Sequence, residues 1–250
     1  MFRFRSRARA ASAVLALTCI AGLASASQFN VGTTRILLGA DHPVETEVLT
    51  NQESRDVAFE VHVTRWKQLP DGTWDLQPTD ALLVHPLIVR LPKDGQARIR
   101  VGTLSPSVTT EEAYRVEFRE LPDRTPAANG QVRMLTNVSV PVFVQPANAK
   151  SNLSMTVGGI DTKTLDIAFR NDGTGFAPPA PAKLRILDAN NRPLHEGDAT
   201  TVYVLAGAQA PMHAQVPASV CARAASVELT IGNAKPLVAA IAPGVRRCVR

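Results

Sequence analysis

The sequence contains little cysteine, few aromatic residues and little net charge. Of the 250 residues, three are cysteines and 5% are aromatic. The formal net charge is +5, from 27 basic and 22 acidic residues, and four of the basic residues are arginines among the first nine. From Ser27 onward the chain therefore has 23 basic residues (27 less 4) and a net charge of +1. Because nucleic-acid-binding proteins carry a basic stripe or patch, this balance excludes that class.

The only long apolar run lies near the N-terminus. Residues 10–23 carry no charge, follow the four arginines and end in Ala24-Ser25-Ala26, the small residues that signal peptidase accepts. The run is short for a bilayer-spanning helix, which needs about 20 apolar residues. We predict a cleaved signal peptide over residues 1–26, with a retained membrane anchor as the alternative. We expect no membrane insertion after cleavage.

Cysteine usage agrees with export. Cys19 is removed with the signal, which leaves the pair Cys221 and Cys248. A pair of cysteines in an exported chain predicts one disulfide, here tying the last strand to an earlier one; two free thiols are the alternative. A metal site is not expected, because two cysteines need further ligands and the histidines are scattered. They are His42, His62, His85, His195 and His213.

Residue periodicity predicts an all-β protein. Valine, threonine and turn residues recur, and no stretch repeats its apolar residues every 3.6 positions. Turn signals such as Pro70-Asp71-Gly72 separate the predicted strands. In the first half these are 29–38, 45–50, 57–67, 82–91 and 97–104, with two more within 113–146. In the second half they are 153–157, 164–170, 183–187, 200–205, 212–216, 226–231 and 237–241.

The strand count and chain length predict two domains. Residues 27–146 and 147–250 each have the size of one domain, and residues 146–150 form a short linker. Seven strands in a domain of this size are typical of an immunoglobulin-like sandwich. We therefore predict two immunoglobulin-like β-sandwich domains at an angle, with a cleft between them.

The last two strands of the first domain have the clearest alternation. Tyr114, Val116 and Phe118 alternate with charged residues, which is the pattern of a strand with two unlike faces. In the second strand the apolar residues share one parity from 132 to 144, broken by Thr136. A strand of this length exceeds the usual 5–6 residues and suits a protein that lends a strand to a partner. The alternative is that these side chains all face the domain's own core.

Several segments together resemble the periplasmic pilus-assembly chaperones of the chaperone–usher pathway, closer to the archaic spore-coat-like branch. No one motif is highly specific, but their order and spacing match over nearly all of the chain after the signal. The segments are Thr34-Arg35, residues 82–101, residues 114–122 and the strand that ends in Val144-Gln145-Pro146, with a looser match at 169–175 and 184–194.

The resemblance implies a function. Pilus subunits of this pathway lack their last strand, and the chaperone inserts its own strand into the open groove. The implied partners are pilus subunits and an outer-membrane usher, the implied location is the periplasm, and no cofactor is implied. The donor-strand candidates are Val132, Met134, Thr136, Val138 and Val140.

The resemblance also implies a basic pair that binds the subunit's terminal carboxylate. Arg35 lies at the first position of that pair, and arginine suits it because its planar fork binds a carboxylate through two hydrogen bonds. The usual second member is a lysine, but Pro141 lies there. Arg115 on the neighbouring strand is the candidate substitute, with a solvated strand face as the alternative. Gln145 likewise replaces an arginine of the family's interdomain cluster.

Two other classes of function compete with a chaperone. A secreted enzyme would need clustered histidines or a nucleophile motif, and Glu111-Glu112 are expected to be solvated turn residues rather than a catalytic pair. A secreted pilus subunit or adhesin-like β-sandwich binding module would carry a donor segment before its first strand. Here Ser27 leads almost directly into the first predicted strand.

Overall fold

The computed structural model describes residues 29–122 and 134–248, which form β-strands with one short α-helix and one 3₁₀ turn. The prediction of an all-β protein built from two β-sandwich domains is confirmed. No helix among the described residues is long and apolar enough to cross a bilayer.

The first domain contains two facing sheets. Strands β1, β3, β8 and β6 form one sheet in that order, and β2, β10, β9, β4 and β5 form the other, with β7 also pairing with β4. Their inward residues form one core that includes Phe59, Phe118 and Val142. The strands are β1 (Phe29–Val31), β2 (Ile36–Leu38), β3 (Val44–Asn51), β4 (Val57–Gln68), β5 (Trp74–Pro78), β6 (Leu82–His85), β7 (Ile88–Leu91), β8 (Gln96–Thr103), β9 (Glu112–Glu120) and β10 (Asn137–Val144).

Two of the predicted strands are each divided between the two sheets. Residues 29–38 give β1, which pairs with β3, and then β2, which runs parallel to β10. Residues 82–91 give β6, which pairs with β8, and then β7, which pairs with β4. Pro86 separates β6 from β7, and a proline cannot donate to a strand ladder. Each of these two segments therefore contributes one strand to each sheet of the sandwich.

The predicted long strand is shorter than expected. β10 begins at Asn137 and has eight residues, and Met134–Thr136 precede it without strand structure. Val132 lies outside the described residues. β4, with twelve residues, is the longest strand of the described chain. Length alone therefore does not distinguish β10 from an ordinary strand.

The second domain is a smaller sandwich. Strands β11, β12 and β15 face a sheet of β14, β13, β16 and β17, around a core that includes Phe169 and Leu229. The elements are β11 (Leu153–Ile160), β12 (Thr164–Asn171), β13 (Pro181–Leu187), β14 (Pro193–Thr200), β15 (Gln209–Gln215), α1 (Ala218–Cys221), β16 (Ser226–Ile231), β17 (Leu237–Ala240) and the 3₁₀ turn Pro243–Val245.

The predicted strand over residues 200–205 is wrong. The strand here is β14, which ends at Thr200, and the following residues leave the sheet. Val204 exchanges two backbone hydrogen bonds with Ala177, and Tyr203 and Leu205 bond to Gln68 of the first domain. The apolar character of this segment therefore reflects contact between the domains.

The predicted disulfide is confirmed, although its position differs from the prediction. Cys221, at the end of α1, is bonded to Cys248, 27 positions later. Cys221 is fully buried, and Cys248 packs against the same core. The bond therefore ties a short helix, and not a strand, to the chain beyond β17.

We predict that replacing both cysteines by alanine lowers the free energy of unfolding by about 3 kcal/mol, because the crosslink restricts the unfolded chain. Denaturant unfolding of the double variant measures this. In the wild-type protein purified without reductant, mass mapping should find neither thiol alkylated. Two freely alkylated thiols would contradict the assignment.

Candidate functional site at the domain interface

The outer face of the first domain's larger sheet turns toward the second domain. In β9 the side chains of Tyr114, Val116 and Phe118 enter the core, so Ala113 and Arg115 lie on the opposite face. On that face Trp66 and Ala113 form a buried cluster with Phe143 and with Leu205 of the second domain. The period-two pattern thus places both an aromatic cluster and charged residues on one face.

Five aromatic rings form a continuous row across this interface, called here the aromatic row. Phe176 stacks on Phe143 with ring centroids 3.9 Å apart and planes 14° from parallel. Trp66 lies 5.6 Å from Tyr203 and 4.9 Å from Trp74. Phe176 and Tyr203 belong to the second domain, so the row joins the two sandwiches. Rings at these separations attract each other beyond their area of burial.

Arg35 lies at one end of the aromatic row. It immediately precedes β2, where Ile36 pairs with Val142, and so lies beside Pro141. Its side chain is exposed, and its guanidinium carbon is 5.7 Å from the centre of the Phe176 ring. Among the described residues it has neither an ion pair nor a hydrogen bond. The second domain therefore supports this guanidinium without neutralising it.

Arg115 lies at the other end, and it is buried. Its guanidinium carbon is 4.9 Å from the Trp66 ring centre and 4.5 Å from that of Trp74. Its Nε donates to Ser139 Oγ at 2.7 Å, and a terminal nitrogen donates to the Ser139 carbonyl at 3.1 Å. Burial lowers the pKa of this guanidinium, against the opposing effect of the Glu117 carboxylate. The alternative of a solvated strand face is therefore wrong.

The sheet brings both predicted arginines to either side of Pro141. Arg115 of β9 pairs with Pro141 of β10. On the other side of β10, Ile36 pairs with Val142 in a parallel ladder, so Arg35, one residue earlier, lies beside Pro141. Two strand spacings place their α-carbons about 10 Å apart. That both arginines lie near Pro141 was predictable from the family resemblance. That one is buried and the other exposed was not, because this depends on Trp74 and on the second domain.

The donor-strand candidates differ widely in exposure. Met134 is 71% exposed, Thr136 and Val138 are half-buried, and Val138 packs against the core. Val140 is only 3% exposed and belongs to the first domain's own core. Val140 therefore cannot fill a partner's groove in this state, which corrects its assignment. The reason is that its side chain lies between the two sheets, opposite Val116.

The edge of β10 is open over its first part. β9 covers one side of the whole strand, whereas β2 covers the other side only from Val142 to Val144. No strand of the described chain pairs with residues 137–141 on that side. The free edge thus ends where β2 begins, next to Arg35. An exposed edge of this kind is a template for adding a strand.

Glu111 is a functional candidate that sequence reasoning missed, since it was expected to be solvated. It is 8% exposed and lies between the domains. Its Oε2 accepts from Gln145 Nε2 at 2.6 Å and from the Phe176 backbone N–H at 3.1 Å. Burial raises the pKa of this carboxyl to about 7. Glu112, by contrast, is half-buried and accepts from the Tyr114 hydroxyl. Nothing in the sequence around Glu111 distinguishes the two.

A second contact joins the domains at the β4–β5 hairpin. Gln68 Nε2 donates to the Tyr203 carbonyl at 2.7 Å, and Gln68 Oε1 accepts from the Leu205 N–H at 2.8 Å. The turn after Gln68 contains Gly72, whose φ is +85° and whose position would place a Cβ 2.6 Å from Pro211. Only glycine suits this turn and this approach. The hairpin that carries Trp74 is therefore held by the second domain.

Among the described residues, no three His, Cys, Asp or Glu side chains are grouped to hold a metal ion. Two of the histidines each lie beside one carboxylate. His62 lies 2.9 Å from Glu60, and His213 lies 2.7 Å from Asp166.

Residues 28–150 match the family model described as "Pili and flagellar-assembly chaperone, PapD N-terminal domain". By this domain, the chain belongs to the pilus-assembly chaperones. The segments that carried the resemblance in the first half, including residues 82–101 and 114–122, all lie inside the matched region. No curated protein sequence matches the chain.

Solved structures similar to this pilus-assembly chaperone extend the likeness to both domains. The class 5 fimbriae chaperone CfaA has a TM-score of 0.56 at 14% identity, over 86% of this chain and 99% of its own. A chain of the Acinetobacter baumannii CsuC–CsuE complex has a TM-score of 0.56 at 17% identity, over 86% and 98%. A chain of the Salmonella enterica SafA–SafB complex has 0.54 at 16%, over 86% and 97%. At these identities the likeness establishes the two-domain fold.

Met134 is exposed and Val140 is buried, so the same substitution should change the stability of the two variants differently. We expect Val140→Ser to lower the free energy of unfolding by about 2–4 kcal/mol, because it removes buried methyl groups and buries a hydroxyl. Met134→Ser should change it by less than about 0.5 kcal/mol, because the side chain is exposed. Thermal unfolding of the two variants checks this. Equal losses would show that both residues belong to one core.

Proposed function

We propose that this chain is a periplasmic chaperone that binds pilus subunits by adding a strand to their incomplete sandwich and delivers them to an outer-membrane usher. The observation that carries the proposal is the open edge of β10, which ends at Arg35, an exposed arginine that has no charged partner in the described part of the chain. The end of a polypeptide chain fits both features. Its backbone groups can pair with the open edge, and its terminal carboxylate can bind the arginine.

The placement of Arg35 determines the direction of the incoming strand. β2 already occupies the edge of β10 from Val142 onward, so an added strand can pair with this segment only as far as Pro141. If its carboxylate binds Arg35, its last residue lies near Pro141. That strand then runs in the same direction as β10. The subunit's final strand therefore pairs in parallel with the chaperone.

The two arginines have different roles in this proposal. Arg35, exposed and supported by Phe176, binds the terminal carboxylate directly. Arg115, buried between the two tryptophans, adds positive charge on the other side of Pro141 and fixes the indole of Trp74. Its charge is only weakly screened by water, because the rings exclude solvent. It thus takes part of the role of the lysine that Pro141 replaces.

Groove-filling is assigned first to Met134, which lies just before the strand. Its side chain is large, apolar and 71% exposed. Val138 is the next candidate and Thr136 a weaker one, while Val132 stays a prediction. Apolar side chains exposed beside an open strand edge are an aggregation hazard unless they serve an interaction.

The remaining assignments are part of the same proposal. Residues 1–26 are a signal peptide, residues 27–146 the subunit-binding domain and residues 147–250 the second domain. CsuC–CsuE and SafA–SafB are named as chaperone complexes with a tip subunit and a pilin. That pairing supports a pilus subunit as the partner here. No enzymatic activity is proposed.

The first test removes the carboxylate site. Arg35→Ala should reduce recovery of a co-expressed pilus subunit sharply, because losing one partner of a desolvated charge pair typically weakens binding by about 2–5 kcal/mol. Its melting temperature should change little, since an exposed cation–ring contact contributes only about 0.5–1 kcal/mol. Arg98→Ala is the matched control, because Arg98 is exposed on β8 of the other sheet.

Normal subunit recovery with Arg35→Ala would show that the terminal carboxylate binds elsewhere. Arg115→Met gives a second comparison. It should weaken subunit recovery and also lower the melting temperature, because Ser139 loses its charged donor and the tryptophans lose their support. A loss of stability without any loss of recovery would make Arg115 structural only.

The second test addresses the donor residues. Replacing Met134 by serine should leave the melting temperature nearly unchanged but reduce subunit recovery, because the groove then loses an apolar side chain while the backbone ladder remains. Val44→Ser, at another exposed apolar residue on a strand, is the control. Subunit recovery that falls equally in both variants would contradict groove-filling by Met134.

A further inference from the structure

Glu47 is a buried carboxyl at an inward-facing position of the first domain. It lies on β3 with the same parity as the core residue Leu49 and is 1% exposed. Its neighbour across the sheet is Ile99, which is fully buried. A carboxyl at a core position is unfavourable unless hydrogen bonds satisfy it, so its partners indicate its role.

Both oxygens of this carboxyl accept hydrogen bonds from Thr33. Oε1 accepts from the Thr33 backbone N–H at 3.0 Å, and Oε2 accepts from the Thr33 hydroxyl. Among the described residues the carboxyl has no other hydrogen-bond or ion-pair partner. Gly32 leaves room for it, because a Cβ on that residue would lie 3.1 Å from Oε1. The buried carboxyl of Glu47 is therefore committed to a single residue, Thr33.

Thr33 lies in the crossover, residues 32–35, which joins β1 of one sheet to β2 of the other. In the described chain two contacts hold this segment to β3. The Gly32 N–H donates to the Val48 carbonyl at 2.9 Å, and Thr33 donates to Glu47 as above. The contact with Glu47 is therefore the last one before β2 begins.

Arg35 follows Thr33 by two residues, so their α-carbons are within about 7 Å of each other. It ends the crossover and lies beside Pro141. The Phe176 ring supports its guanidinium at 5.7 Å, but a contact with a ring does not fix the backbone that carries the side chain. Where the backbone of Arg35 lies depends on where the crossover is held, which is at Thr33.

We propose that Glu47 is a positioning residue for carboxylate binding, which fixes the crossover through Thr33 and so places Arg35 at the end of the open edge of β10. The proposal rests on the function proposed above for Arg35. It adds that the geometry of the binding residue is set from inside the first domain. Loss of the buried carboxyl should therefore change which ligands are preferred, and not only the stability of the fold.

Four variants separate positioning from stability. Glu47→Met keeps the length of the side chain but removes both acceptors. Glu47→Gln retains an amide oxygen for the Thr33 N–H and an amide group that can donate to the Thr33 hydroxyl oxygen. Glu45→Met is the matched control, since Glu45 is exposed on the same strand. Thr33→Val, at an exposed position, removes the hydroxyl alone.

The first measurement is amide hydrogen exchange in the free protein, followed by NMR. The Thr33 amide should exchange at least about tenfold faster in Glu47→Met than in the wild-type chain, because its acceptor is gone. It should stay protected in Glu47→Gln and Glu45→Met, and the Gly32 amide should stay protected in all of them. Unchanged exchange at Thr33 in Glu47→Met, or an equal loss of protection at Gly32, would overturn the proposal whether or not the chain binds subunits.

The second measurement compares two peptides with the sequence of a pilus subunit's last strand, one ending in a free carboxylate and the other in a carboxamide. The wild-type chain should bind the carboxylate peptide about tenfold or more tightly than the amide, because the arginine pairs with the anion. Glu47→Met should bring this ratio to within about threefold of that in Arg35→Ala. Glu47→Gln and Glu45→Met should keep the wild-type ratio. A purely structural role for Glu47 would weaken both peptides equally and leave the ratio unchanged.

A double variant tests whether Glu47 acts through Arg35. Arg35→Ala with Glu47→Met should have the same ratio as Arg35→Ala alone, since changes that act through one contact are not additive. A further fall in the double variant would refute the positioning role. If Glu47→Met does not fold, Thr33→Val replaces it in these comparisons, with a smaller reduction of the ratio expected. An unchanged ratio in Thr33→Val would then refute the proposal.

The outcomes also distinguish this inference from the proposed function. Equal affinity of the wild-type chain for the two peptides would contradict carboxylate binding by Arg35 and, with it, the positioning role. A preference for the carboxylate that requires Arg35 but survives in Glu47→Met would retain the proposed function and reject the role of Glu47 alone.

Discussion

The stack of Phe176 on Phe143 is the contact on which the rest of the site depends. It joins a ring of the second domain to the last strand of the first, and Trp66 and Tyr203 extend it into a row. Because Phe176 and Tyr203 come from the second domain and Phe143, Trp66 and Trp74 from the first, neither domain completes this row alone. The positions of Arg35 and of Trp74 are therefore properties of the pair of domains. A substitution far from either arginine can act on both through this row.

Sequence periodicity predicted the core of each sandwich well, because a strand's alternation directly reports its two faces. Periodicity does not report which residues cover the outer face of a sheet. Arg115 has the pattern of a solvated residue, yet Trp74 and Trp66 bury it. Glu111 has the pattern of a turn residue, yet the second domain buries it. Neither burial was predictable, since what covers the outer face, a hairpin tryptophan for Arg115 and the second domain for Glu111, leaves no period in the sequence.

Two segments were each predicted as one continuous strand, and that prediction is wrong for a related reason. Residues 29–38 and 82–91 have an unbroken β pattern, but each changes sheet part-way along. A segment remains extended on either side of such a transfer, so its composition does not change there. Val140 shows the limit on the functional side. It shares its parity with the donor candidates, and only the closing of the sandwich around β10 removes it from that set.

The short parallel pairing of β2 with β10 has a consequence for what can be bound. Because β2 fills the edge from Val142 onward, an added strand cannot slide past Pro141 toward the second domain. In the proposed complex, where Arg35 binds the terminal carboxylate, the last residue of the added strand and not its side chains sets the alignment. Polypeptides of unrelated sequence could then be held in one register, provided that each ends in a free carboxylate. A few residues appended to that end would displace the whole strand.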